Sequence, residues 1–148
     1  MSSSLPAYFF YYPTNDEKTY AMLAHILGIF SGFLAPLIML LIKRDSKFVL
    51  FHALQSLAWH FICFIVLMGG VFITLAILFA TGSFPPPEKS PDPPVTFLLF
   101  FGAFWLIAMA AGISSMVLGI MYGLRANKGE WARYPLIGEF ILNKFVFN

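Results

Sequence analysis

His52, Gln55, Ser56, Trp59, His60 and Cys63 follow one another at intervals of three and four residues, so they share one face of a helix. Imidazole, amide, hydroxyl and thiol groups in such a row can relay protons, ligate a haem iron, or tie helices together by hydrogen bonds. A third histidine, His25, lies in the preceding apolar run. In the topology derived below, His60 falls ~18 Å from the inner end of its helix and His25 ~8 Å from the outer end of its own. Those depths are similar, which makes His25 and His60 a candidate haem-binding or proton-relay pair. The plainer reading is a packing seam, in which each interhelical hydrogen bond contributes ~0.6 kcal/mol on average. The seam is the reading adopted here, and no cofactor is expected.

The seam needs a facing surface, and the sequence supplies one. Gly28 and Gly32 form a GxxxG pair in the first apolar run, with Ala21, Ala24 and His25 just before them. Ala108, Gly112, Ser115, Gly119 and Gly123 form a ladder of small residues in the third. Small residues let helix backbones approach closely in lipid.

Nothing else in the chain promises catalysis. There is no CxxC, HExxH, GxSxG or phosphate-binding loop, no Asp or Glu interrupts the apolar runs, and the lone cysteine, Cys63, has no disulfide partner. The expectation is a non-enzymatic protein with no metal site. The basic residues are scattered over loops, which gives no nucleic-acid footprint.

The composition sets the class. Of 148 residues, 59% are hydrophobic and only 11% charged, against about 25% charged in a soluble domain. Mean hydropathy is +0.81. Too little charge remains to cover a water-facing surface, so this is an integral membrane protein and the bilayer is its first partner.

One all-α membrane domain is expected, with three transmembrane helices and a short C-terminal amphipathic helix. Residues 1–13, with five consecutive aromatics from Tyr8 to Tyr12, read as an interfacial arm. Thr14 and Glu17 spell a capping box, so helix one is expected over 15–42, bent at Pro36. The second helix is expected over 48–80. At ~50 Å it exceeds the ~30 Å hydrocarbon core, so it must tilt, kink at Gly69–Gly70, or begin at headgroup level. Residues 81–94 hold six of the ten prolines and read as a stiff extracytoplasmic loop. The third helix is expected over 95–124. The tail, 133–148, is too short to cross and reads as an interfacial helix, or one packed under the bundle.

Basic residues set the orientation. Lys43, Arg44 and Lys47 lie in the first loop and Arg125, Lys128, Arg133 and Lys144 follow the third helix, against Lys18 and Lys89 elsewhere. With three spans this places the N-terminus outside and the C-terminus in the cytoplasm.

The string AMLAHILGIFSGFLAPLIMLLIKRDSKFVLFHALQSLAWH, residues 21–60, carries LAH, then glycines, PLI, a basic–acidic turn and FH..Q. The block GLRANKGEWARYPLIGEFI, residues 123–141, carries A.KGE..RYP. Together they resemble a bacterial family of small membrane proteins without assigned function. More distantly they are similar to the small integral-membrane subunit of the chloroplast inner-envelope import translocon, which is described with four spans. The resemblance implies a multi-pass protein of the bacterial cytoplasmic membrane. Its motif falls on His25, Pro36, Leu37, Lys43, Asp45, Phe51, His52, Gln55, Arg133, Tyr134 and Pro135. His52 and Gln55 are expected to bond either the carbonyls ending helix one or the Arg133–Pro135 turn. The functional expectation is an accessory or scaffolding subunit of a larger membrane complex. The alternative is an oligomeric transport or protein-translocation component.

Overall fold

Thr14 caps the first helix as its sequence requires. In the computed structural model, which describes residues 11–82 and 95–146, the Glu17 amide donates to Thr14 Oγ1 at 3.3 Å and the Thr14 amide donates to Glu17 Oε2 at 2.7 Å. Helix α1 runs Asn15–Ile26, with Asp16 and Glu17 in its first turn, where the helix dipole favours acids.

The expected single helix over 15–42 does not form. A short helix α2, Gly28–Ser31, follows Leu27; Gly32 then adopts φ +62°, and α3 runs Leu34–Ile42. Glycine enters that left-handed region at no steric cost, so the chain reverses there and α3 packs beside α1. The two ends of this hairpin meet: Lys43 Nζ lies 5.1 Å above the Tyr20 ring, and Ser46 lines one cleft with Glu17. Pro36 does not bend a continuous helix. It sits in the first turn of α3, where its missing N–H would have no intrahelical partner anyway. Ser31 secures the reversal, donating to Leu27 O at 2.9 Å and accepting the Ala35 amide at 3.1 Å.

Helix α4 runs Lys47–Ala80, unbroken through Gly69–Gly70, and α5 runs Val95–Asn127. These two are long and apolar enough to cross a membrane. All elements among the described residues are helical. The interfacial arm expected over 1–13 lies outside the described residues except for Tyr11, Tyr12 and Pro13. The proline loop expected over 81–94 lies outside them except for Thr81 and Gly82.

Two compact units divide the chain. The first combines residues up to Phe61 with those from Ser115 onward. Its apolar core is small. Phe51 packs with Ile141, Leu142 and Val146; Ala21 with Phe48 and Ala126; Tyr122 with Ala132 and Tyr134. Trp131 stands edge-on to Phe48, with ring centroids 5.1 Å apart, and 5.3 Å from Phe51. The tail consists of a turn, helix α6, Gly138–Ile141, and a π-helical turn, Leu142–Val146. Ile141, Leu142 and Val146 are buried on Phe51 while Phe140 and Phe145 are exposed. The first turns of α4 are therefore covered by protein, with Phe48, Val49, Phe51 and His52 fully buried.

The second unit comprises residues 62–114. It displays large apolar side chains outward, among them Ile65, Phe72, Ile73, Leu99, Leu106 and Met109. A surface of that kind suits hydrocarbon and not water.

A buried histidine–tyrosine chain as the candidate functional site

Helix α1 carries His25 into the first unit, where it lies against α4 and α5. Three close approaches put it there. The position a Cβ would take on Gly119 lies 3.1 Å from His25 O and 2.6 Å from the Ile29 side chain. A Cβ on Gly123 would lie 2.9 Å from Ile26, and one on Gly28 would lie 2.9 Å from His60. Only glycine allows these approaches. Ser56 Oγ adds a tie, donating to Ala24 O at 2.9 Å.

The polar groups so gathered form a continuous chain. Tyr134 Oη lies 2.9 Å from His25 Nδ1, His25 Nε2 lies 3.0 Å from His52 Nδ1, and His52 Nε2 lies 3.1 Å from Glu130 O. The far end fixes every proton. A carbonyl only accepts, so His52 carries its proton on Nε2 and its Nδ1 accepts. His25 must then donate from Nε2, and its Nδ1 accepts the Tyr134 hydroxyl. Burial, then the neighbouring Tyr122, push the Tyr134 phenol above its ordinary pKa, which keeps it a donor. Both imidazoles are neutral in this arrangement. His25 and His52 are fully buried and Tyr134 nearly so.

Gln55 fixes the same segment from the side. Its Oε1 accepts the Tyr134 amide at 2.6 Å and its Nε2 donates to Ala132 O at 3.3 Å. Of the two partners expected for Gln55, the structure gives the Arg133–Pro135 turn. Tyr122 Oη donates to Arg133 O at 2.8 Å. Thus the carbonyls of Glu130, Ala132 and Arg133 each accept from a side chain on α4 or α5. The turn closes with the Gly138 amide on Tyr134 O at 3.0 Å, Leu136 takes φ +69°, and Arg133 pairs with Glu139.

The remaining expected residues fall in several places. Trp59 Nε1 donates to Ser115 Oγ at 3.1 Å. His60 Nδ1 donates to Ser56 O at 2.7 Å. Gly32 is a turn residue and Gly112 has nothing within 4 Å, so neither lies in a close helix approach. Pro36 and Phe51 are buried, and Lys43 and Asp45 line a cleft with Tyr12, Thr14 and Glu17. A haem on His25 and His60 does not fit: both ring nitrogens of His25 are already engaged, leaving no lone pair for iron. Tyr122, Glu130 and Trp131 were not expected at the site. Tyr122 lies three residues after Gly119 on the ladder, which is the signal that marks it; the Glu130 backbone carbonyl leaves none in a sequence.

Two long apolar helices, an outward apolar surface and a buried chain of hydrogen-bonded polar side chains define a small all-helical membrane protein. A family model matches residues 16–141, and the chain belongs to that family, the magnetosome magnetite crystal formation proteins (MamF/MmsF). It is also 27% identical to a UPF0132 membrane protein of Methanocaldococcus jannaschii over 124 residues, 84% of each chain. No solved structure matches it.

Proposed function

We propose that this protein is a non-enzymatic organising subunit of a membrane complex. The carrying observation is the polar chain itself. Its donors and acceptors are spent on one another and on the backbone of residues 130–134. That use commits these side chains to tying the segment after α5 to α1 and α4. The family's description names magnetite crystal formation, and in that setting this chain would arrange partners at the membrane.

The proposed topology is two spans, α4 and α5, with the α1–α3 hairpin entering the bilayer from one side and returning. Its turn is apolar, with Phe30 85% exposed. Tyr11 meets Trp131 with ring centroids 5.6 Å apart, so the start of α1 lies at the same end as the segment after α5. On this reading the two ends share a side, in place of the opposite-sided termini expected from three spans, because a hairpin returns the chain where a span would not. Lys18 then joins the other basic residues, and eight of the nine lysines and arginines share one end. By the positive-inside rule that end is cytoplasmic.

The experiment is purification of the intact protein from native membranes in a mild detergent, with the mass and composition of the complex determined. A fixed-ratio set of other proteins supports the organising role. A lone homo-oligomer in which cysteine at Ser56 reacts with water-borne thiol reagents overturns it in favour of a transport or translocation component.

A further inference from the structure

Between the start of α1 and the end of α5 lies a cleft of about 450 Å³ lined by Tyr11, Tyr12, Pro13, Lys18, Lys128, Gly129, Glu130 and Trp131. Lys18 reaches across it. A Cβ on Gly129, whose φ is +83°, would stand 3.0 Å from Lys18 Cε and 3.8 Å from its Nζ. Gly129 therefore leaves the room through which the Lys18 ammonium approaches the Lys128 backbone turn. Neither lysine forms an ion pair with another described residue. The one carboxylate on the rim, Glu130, has Arg125 Nε at 4.0 Å, so the cleft keeps a positive balance. Tyr12 is 86% exposed at its mouth.

The cleft also sits at the boundary between apolar and charged surface. Leu124, one turn before Lys128, is exposed, and so is Ile42, immediately before Lys43. Exposed apolar side chains therefore reach to the last turns of α3 and α5, and the basic residues begin there. Tyrosine and tryptophan beside lysine are the groups that settle at headgroup depth.

We propose that this cleft holds the headgroup phosphate of an anionic glycerophospholipid. The Lys18 and Lys128 ammonium groups would bracket the phosphate, the Tyr12 hydroxyl would donate to it, and the Pro13 and Trp131 rings would flank the glycerol. Glu130 selects against a second anion. The proposal does not depend on the organising role above, because a lipid site is compatible with any function of the chain.

Trp131 is the reporter. In the full-length protein carrying W59F and W105F, reconstituted in nanodiscs, its fluorescence is followed as brominated phosphatidylglycerol replaces unbrominated phosphatidylcholine. Quenching should reach half its maximum at a phosphatidylglycerol fraction at least tenfold below that needed for brominated phosphatidylcholine. The pair K18Q and K128Q should remove that preference, since it takes away both ammonium groups that bracket the phosphate. The pair R44Q and K144Q removes the same charge from the same end without touching the cleft, and should keep most of the preference. Equal loss in both pairs would make the effect a general basic surface and overturn the site. Displacement of the lipid signal by millimolar inorganic phosphate would assign the cleft to a soluble anion instead. Unchanged Trp131 emission in phosphatidylcholine alone shows that each variant is folded.

Discussion

His25 Nε2 donates to His52 Nδ1 at 3.0 Å, across 27 residues of sequence, and with the Ser56 bond to Ala24 O it joins the α1–α3 hairpin to the foot of α4. Neither ring can be replaced without stranding the other. In H52A, the buried His25 N–H and the Glu130 carbonyl both lose their partner, and a cavity opens. The loss should be about 2–4 kcal/mol, measured by thermal or denaturant unfolding in detergent. Y134F removes a single hydroxyl at the other end of the chain and should cost about 1 kcal/mol. The order is the test: if Y134F destabilises as much as H52A, the chain of hydrogen bonds assigned here is wrong.

The small-residue ladder of α5 divides into positions of two kinds, and alanine separates them. A Cβ on Gly119 would stand 2.6 Å from Ile29 and 3.1 Å from His25 O, whereas Gly112 has nothing within 4 Å. G119A should destabilise by about 1–3 kcal/mol through overpacking. G112A should be neutral, or stabilising by up to about 1 kcal/mol from helix propensity. Equal effects at the two sites would show that α1 does not pack where the structure places it.

On the proposed two-span topology the start of α1 and the segment after α5 share one side of the membrane, and labelling reads this directly. In a C63A background, single cysteines at Asn15, Asp45 and Asn143 should all react with an impermeant reagent from one face of the membrane. A cysteine at Thr81, just past α4, should react from the other. Asn15 and Thr81 reacting together would restore a first span and remove the hairpin from the topology.

The limits of the sequence can be traced to particular residues. α4 and α5 were legible because two uninterrupted apolar runs leave no other choice. Thr14 and Glu17 marked the start of α1 because the cap is local. The polar stripe from His52 to Ser56 was legible as a face, since spacing alone defines one. The hairpin was not. Gly28 and Gly32 fit a packing motif as well as a turn, and only the φ of Gly32 decides between them. Pro36 misled for the same reason: a proline within an apolar run reads as a bend until the helix is seen to start two residues before it. The partners of His52 were beyond reach because one is a backbone carbonyl, at Glu130, and the other is His25 brought back by the hairpin.

Glu17 supplies a prediction at the hairpin's open end. Burial raises its pKa, but hydrogen bonds from Ser46, Tyr11 and Thr14 outweigh that and hold the carboxyl below its ordinary value. Tyr11 Oη donates to Glu17 Oε1 at 2.5 Å, and Tyr11 in turn packs on Trp131. A carboxyl with a lowered folded pKa stabilises the fold above its unfolded value, and that stabilisation is lost as pH falls through the folded one. The tie between the N-terminal segment and the first loop should therefore be intact at neutral pH and loosen below about pH 4.5. Amide exchange over residues 11–18, taken relative to the intrinsic rate at each pH, should rise on acidification in the wild type. In E17Q it should already be faster at neutral pH and should lose its pH step, while exchange at the buried His25 and His52 amides stays slow. A pH step retained in E17Q would assign the titration to another group.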